Sequence, residues 1–155
     1  MAAGGPAGGE PADPADPAEA PLCEAADLAV EVRWERDGTG LRGQVVAENV
    51  GGRACRLAGK PEVTPLAGDG TPLPAQTVVT LEWRSPGYVL LQPGQRAAAQ
   101  VGWPSWCGRQ AGGRAQVGWG SGSAVAEVRG PAQPECSPGA PGNLVSSWFQ
   151  LIGPA

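Results

Sequence analysis

Between residues 27 and 36 apolar and polar side chains alternate without a break, and that period of two constrains the fold more than any other feature. Leu28, Val30, Val32 and Trp34 fall on one side, and Ala29, Glu31, Arg33 and Glu35 on the other. This is the pattern of a strand with one buried and one wet face; wound as a helix, the same residues would scatter their apolar groups around the axis. Asp37-Gly38 then supplies a tight-turn dipeptide, and a second strand is predicted over 41–49. Short strands are predicted near 54–57, 62–66 and 76–83. Residues 88–91 and 96–103 flank Gln92-Pro93-Gly94-Gln95 and read as a hairpin or as a corner between sheets. Residues 114–119 and 123–129 make another hairpin around Gly120-Ser121-Gly122, and 144–152 is a last apolar strand. No segment carries sustained helical periodicity with caps. Eight or nine short strands punctuated by turns imply an all-β chain folded as a β-sandwich.

The first 22 residues obey a different rule. Pro-Ala-Asp and Pro-Ala-Glu repeats place Glu10, Asp13, Asp16 and Glu19 at every third position with no base among them. Such a segment has nothing with which to build a core, so 1–22 is read as a disordered acidic Pro/Ala-rich tail and 23–155 as the sandwich domain. In a polyproline II helix these acids would line one edge at about 9 Å spacing, too far apart to share a metal ion.

Composition excludes several functions. The chain has no histidine, which removes Ser-His-Asp and Cys-His nucleophile pairs and most transition-metal sites. The net charge of −4 is carried by the tail, leaving the domain near neutral. Nucleic-acid binding needs a basic stripe, and attachment to anionic membranes needs a basic cluster; neither is present. No apolar run approaches the roughly 18 residues of a membrane span.

Four cysteines allow three pairings. If 27–36 pairs with 41–49, the position opposite Cys23 lies near residue 53, two away from Cys55. The hairpin centred near residue 121 likewise sets Cys107 opposite about residue 135, beside Cys136. The pairing Cys23–Cys55 and Cys107–Cys136 is therefore expected, each bond closing a loop of about 30 residues for about 3–4 kcal/mol. A four-cysteine zinc site is the alternative, but no Cys-x-x-Cys knuckle is present. Disulfides imply an oxidising compartment. The amino terminus has neither a basic nor an apolar signal region, and Ala20-Pro21-Leu22-Cys23 is a poor lipobox, so this reading expects an export segment upstream.

Of six tryptophans, Trp34, Trp83, Trp103 and Trp119 are in phase with the apolar residues of their strands and are expected in the core. Trp106 lies in the turn Pro104-Ser105-Trp106-Cys107, and Trp148 is out of phase with Val145, Phe149 and Leu151. Each either packs inward, on a disulfide or in a two-sided buried strand, or offers a surface ring to a sugar or a partner protein. Catalytic candidates are thin. Ser85, Ser105, Ser146 and Ser147 have no base to activate them. Glu62, Asp69, Glu82 and Glu127 form no recognisable constellation, and the glycine-rich stretches lack a phosphate-loop lysine.

One further pattern is familiar. Asn49 and Gly51 are followed by Cys55, Leu57, Gly59, Pro61 and Val63 at alternate positions, then a turn at Gly70. Leu91, Pro93-Gly94 and the alternating Ala97, Ala99, Val101 and Trp103 come next. Over about residues 23–152 the chain resembles the actinobacterial family catalogued as domain of unknown function 4232, found in secreted proteins and lipoproteins; Lys60 stands where that family usually has an aromatic residue. The resemblance implies an extracytoplasmic, immunoglobulin-like sandwich with two disulfides and no established activity. The expected function is a non-enzymatic binding or structural module of the bacterial envelope, without a cofactor, its partner an envelope protein or a cell-wall glycan. The alternatives are an envelope carbohydrate-active enzyme working through carboxylates and, if the thiols are free, a redox or metal sensor.

Overall fold

The computed structural model describes residues 17–78 and 84–152. Its strands are β1 (Leu28–Asp37), β2 (Gly40–Asn49), β3 (Cys55–Ala58), β4 (Glu62–Ala67), β5 (Thr77–Val78) and β6 (Tyr88–Leu91). They continue with β7 (Arg96–Trp103), β8 (Ala111–Gly118), β9 (Ser123–Arg129), β10 (Leu144–Ser146) and β11 (Gln150–Leu151). The only helical pieces among the described residues are 3-10 turns at Pro17–Glu19 and Ala25–Asp27.

The alternating segment forms the long hairpin its pattern demands, with Leu28 opposite Asn49 at one end and Asp37 opposite Gly40 at the other. Around it runs one large sheet in the order β4-β8-β9-β1-β2-β7-β10-β5, with β11 also on β7; β3 and β6 make a separate pair. Two junctions are parallel, β1 with β9 and β5 with β10. Where β9 leaves β1, Gly130 turns with φ +94° and a Cβ there would sit 2.1 Å from the Trp34 carbonyl oxygen, so only glycine fits. The ends of the large sheet meet through a side chain. The Thr77 hydroxyl on β5 accepts from the Val63 N–H at 2.8 Å and donates to the Val63 carbonyl at 3.0 Å. The sheet thus curls over a single core.

That core is built around tryptophans. Trp34, Trp103 and Trp119 are each at most 5 % exposed, as their phase predicts. The rings of Trp34 and Trp103 lie 6.4 Å apart and tilted, a favourable aromatic geometry. Each buried indole N–H has a partner where one is needed: Trp103 donates to the Gly142 carbonyl and Trp119 to the Cys23 carbonyl, both at 2.9 Å. Trp83 lies outside the described residues.

Cys23 is joined to Cys55, and Cys107 to Cys136, the pairs that hairpin geometry gives. All four sulfurs are consumed, which rules out a zinc site built from them. The two bonds sit in different surroundings: Cys23 and Cys55 are buried at 0 % and 1 % exposure, whereas Cys107 and Cys136 are exposed.

The segment 88–103 resolves as a corner rather than a hairpin, because β6 pairs with β3 and β7 with β2. The single strand expected over 144–152 is two short ones, β10 and β11, which meet β7 at different registers. Of the strand expected over 76–83, Thr77–Val78 is a strand and 79–83 lies outside the described residues. Residues 20–22, counted above with the tail, lie against β3. Ala20 is buried, its carbonyl accepts from Arg56 Nε at 2.7 Å, and the Pro21 carbonyl accepts from the Arg56 N–H at 2.7 Å.

The buried amide of Asn49 holds the corner. Its Nδ2 donates to the Arg53 and Leu91 carbonyls and its Oδ1 accepts from the Gly51 N–H, each at 2.9 Å. Its main chain bonds Gln95 and Gly94 across the β6–β7 turn. Asn49→Ala removes three side-chain bonds and strands their partners, so chemical denaturation is expected to show a loss of about 2–4 kcal/mol. Mild dithiothreitol on the folded protein is expected to open Cys107–Cys136 first, with Cys23–Cys55 reduced only as the chain unfolds; alkylation and peptide mapping over time read the order.

Candidate binding face

The curled sheet leaves one broad face outward, and the strand register decides what it carries. One row across it runs Arg114, Glu127, Glu31 and Val46. The next runs Arg129, Arg33, Gln44 and Gln100, and the third Glu35, Arg42, Gly102 and Val145. Glu31 and Glu127 are neighbours of like charge, an arrangement that needs compensation. Arg33 and Arg129 both ion-pair with Glu31, the latter at 3.3 Å. The Arg33 guanidinium, assisted by Arg129, holds the Glu31 carboxyl below its ordinary pKa.

Toward the β1–β2 turn this face deepens into a groove of about 720 Å³. Its floor crosses β2 and β7 at Gly102; Asp37 and Thr39 of the turn, Pro104 and Ala140 of the disulfide-bonded loops, and Val145 beside β7 form its walls. Gly102 keeps the floor low, since a Cβ would come within 3.4 Å of the Val145 side chain. Among the described residues lining the groove, Asp37 is the single carboxylate and Arg42 the single cation. Arg42 is exposed, and the ion pairs among the described residues do not include it. The lining thus sets a few charged and hydrogen-bonding groups among apolar ones such as Leu41, Val101, Pro104 and Val145.

The sequence-derived candidates lie elsewhere. Trp106 is not a surface ring: it is 9 % exposed, its centroid is 5.9 Å from that of Trp103, and its indole N–H donates to the Arg109 carbonyl at 2.6 Å. The turn folds it inward because Gly108 passes directly over it, leaving no room for a Cβ. Trp148 is half-buried, with Lys60 Nζ 5.8 Å from its ring centroid, so the indole is already engaged by a cation. Lys60 thus packs on an aromatic ring.

The serines are structural. Ser105 is buried and exchanges hydrogen bonds with the Ser137 main chain; Ser146 Oγ donates to the Pro61 carbonyl at 2.7 Å, and Ser147 Oγ accepts from the Gln100 N–H at 3.0 Å. Ser85 is exposed. The candidate carboxylates sit on separate elements. Glu62 begins β4 opposite Gly118, Glu127 lies on β9, and Asp69 pairs with Arg109 at 2.7 Å; Glu82 lies outside the described residues.

A family model for a domain of unknown function, DUF4232, matches residues 23–144. The chain belongs to this family. No curated protein and no solved structure matches it. The DUF4232 match spans both disulfides and the Asn49 corner, and it reaches the first residue of β10. Arg42, Gln44 and Gln100, which make up much of the candidate face, were visible in the sequence only as wet positions of alternating strands. That β2 lies beside β7, so that these side chains meet, was not.

Arg109 and the Thr71 N–H together hold the Asp69 carboxyl below the ordinary carboxylate range. A depressed folded value means that this contact contributes above the unfolded pKa and is lost as pH falls through the folded one. Carbon-detected NMR of the side-chain carboxyl is expected to show Asp69 still ionised below the usual Asp value of about 3.9, and Arg109→Gln is expected to move its titration upward.

Proposed function

We propose that this DUF4232 chain is a non-enzymatic binding module of the bacterial cell envelope, working outside the cytoplasm and presenting the outer face of β1, β2 and β7 to an envelope partner. The observation that carries the reading is the pair of disulfides, one buried beside the core and one exposed. An exposed structural disulfide persists only where the thiol pool is oxidising. The groove supports a binding role, because its largely apolar lining sets donors and acceptors around one cation and one carboxylate. Glu62 and Asp69 lie on separate elements, and Glu31, the neighbour of Glu127, is taken up in ion pairs with Arg33 and Arg129; this supports binding over glycoside hydrolysis, which requires two carboxylates flanking one bond. Among the described residues no helix is long and apolar enough to cross a membrane.

Non-reducing peptide mapping of protein recovered from its native host tests the compartment. The expected result is Cys23 linked to Cys55 and Cys107 linked to Cys136, in material fractionating with the envelope or the medium. Four free thiols in cytosolic material would overturn the reading.

A further inference from the structure

The two disulfides differ in what a dissolved thiol can reach. Cys23 and Cys55 are sealed in the core, whereas Cys107 and Cys136 are both exposed. Their bond joins loop 104–110 to loop 131–143, and the loops do not depend on it for their contact. The Trp106 N–H donates to the Glu135 carbonyl at 3.3 Å, and the Glu135 N–H to the Thr39 carbonyl at 2.9 Å. The Ser137 N–H donates to Ser105 Oγ at 2.8 Å, the Ala111 N–H to Gln133 Oε1 at 2.7 Å, and the Trp103 indole N–H to the Gly142 carbonyl at 2.9 Å. With the sulfurs parted, these bonds keep the two cysteines side by side. A released thiol then re-attacks as an intramolecular neighbour.

The two sulfurs are not equivalent. Ser105 is buried, and its Oγ is fixed by the Ser137 N–H. Its own proton has two acceptors, the Ser137 carbonyl at 3.3 Å and Cys107 Sγ at 3.9 Å. Charge on Cys107 would draw that proton, because a hydrogen bond to an ionised acceptor is the stronger. Cys107 also lies two residues before Arg109, a cation partly neutralised by Asp69. Cys136 directly follows Glu135, whose charge opposes a second anion beside it. Cys107 is thus the better leaving thiolate, which directs an incoming nucleophile to Cys136. The exposed large apolar residues among those described all lie outside both loops. Neither loop gives a protein partner an apolar anchor, so the co-reactant that suits the site is a small thiol.

We propose that Cys107–Cys136 is a reversible S-thiolation site for low-molecular-weight thiols, a property beyond the binding-module reading. The small molecule's thiolate attacks Cys136 Sγ and its sulfur bonds there. The Cys107–Cys136 bond breaks, and its electron pair leaves on Cys107 as a thiolate that accepts from the Ser105 hydroxyl. One disulfide is lost and one formed, so the step needs no further oxidant or reductant. In reverse, the Cys107 thiolate attacks Cys136 Sγ and expels the small thiol. An oxidising compartment keeps the closed form as the resting one.

The test exposes the oxidised full chain, ¹⁵N-labelled, to glutathione. Rapid quenching with N-ethylmaleimide and peptide mapping then locate both groups. The expected species carries glutathione on Cys136 and maleimide on Cys107, with Cys23–Cys55 intact and the amide spectrum outside the two loops unchanged. Removing glutathione before the quench is expected to restore the closed bond. Ser105→Ala is expected to slow the exchange at least about tenfold; a merely structural Ser105 would, on removal, loosen the turn and speed it. Glutathione found mainly on Cys107, or Cys23–Cys55 opening equally fast, would overturn the proposal. So would an adduct formed only as the amide spectrum collapses, or undiminished exchange in Ser105→Ala. Opening by reduced thioredoxin but not by glutathione would overturn it in favour of a protein thiol. The experiment uses purified protein, so its failure leaves the compartment reading standing.

Discussion

Cys23 is the point on which the assembly of this domain depends. Its sulfur is bonded to Cys55 at the start of β3, and its N–H donates to the Arg56 carbonyl at 2.8 Å. Its own carbonyl accepts both the Trp119 indole N–H and the Ser121 hydroxyl from the β8–β9 hairpin. One residue therefore ties the entering chain to the small β3–β6 sheet and to a hairpin about a hundred positions away. Each of these groups is buried or half-buried, so breaking the node would leave several of them without partners at once. The tryptophan core fills a space whose boundary this node has already drawn.

The outer face obeys a different physics. Its rows mix arginine, glutamate and glutamine on the outside of the curled sheet, where exposed pairs add little stability individually. Glu31 and Glu127 repel, and the arginines that relieve this are thereby committed, while Arg42, two rows away, is left uncommitted. Alternation makes this division possible: the same strands that bury Val32, Val45 and Val101 turn their intervening side chains to the other face, where Glu31, Arg33, Arg42 and Gln100 meet water while Val46 and Ala98 are covered.

The sequence made legible whatever is local or carried by hairpins. The β1–β2 pair, the disulfide partners and the burial of Trp34, Trp103 and Trp119 follow from alternation and turn chemistry. What escaped it is non-local. A dipeptide such as Pro93-Gly94 fits a hairpin as well as a corner, and only the pairing of β6 with β3 decides between them. Parallel contact between β1 and β9 has no turn to announce it. Trp106 looked available because its turn is polar and short, yet a neighbouring glycine lets it fold under the loop. The outer face was hidden for the same reason, being assembled from strands far apart in sequence.

The hydroxyl of Thr77 has a consequence for how this protein behaves in company. An open sheet ends in unpaired peptide groups that can template a neighbouring molecule, and barrels escape this by closing completely. Here one alcohol, acting as donor and acceptor to the same residue, stands in for the missing rung between the first and last strands. Bridged in this way, the large sheet offers a neighbouring copy fewer unpaired peptide groups at the junction of β4 and β5, which lowers the tendency to pair edge to edge there.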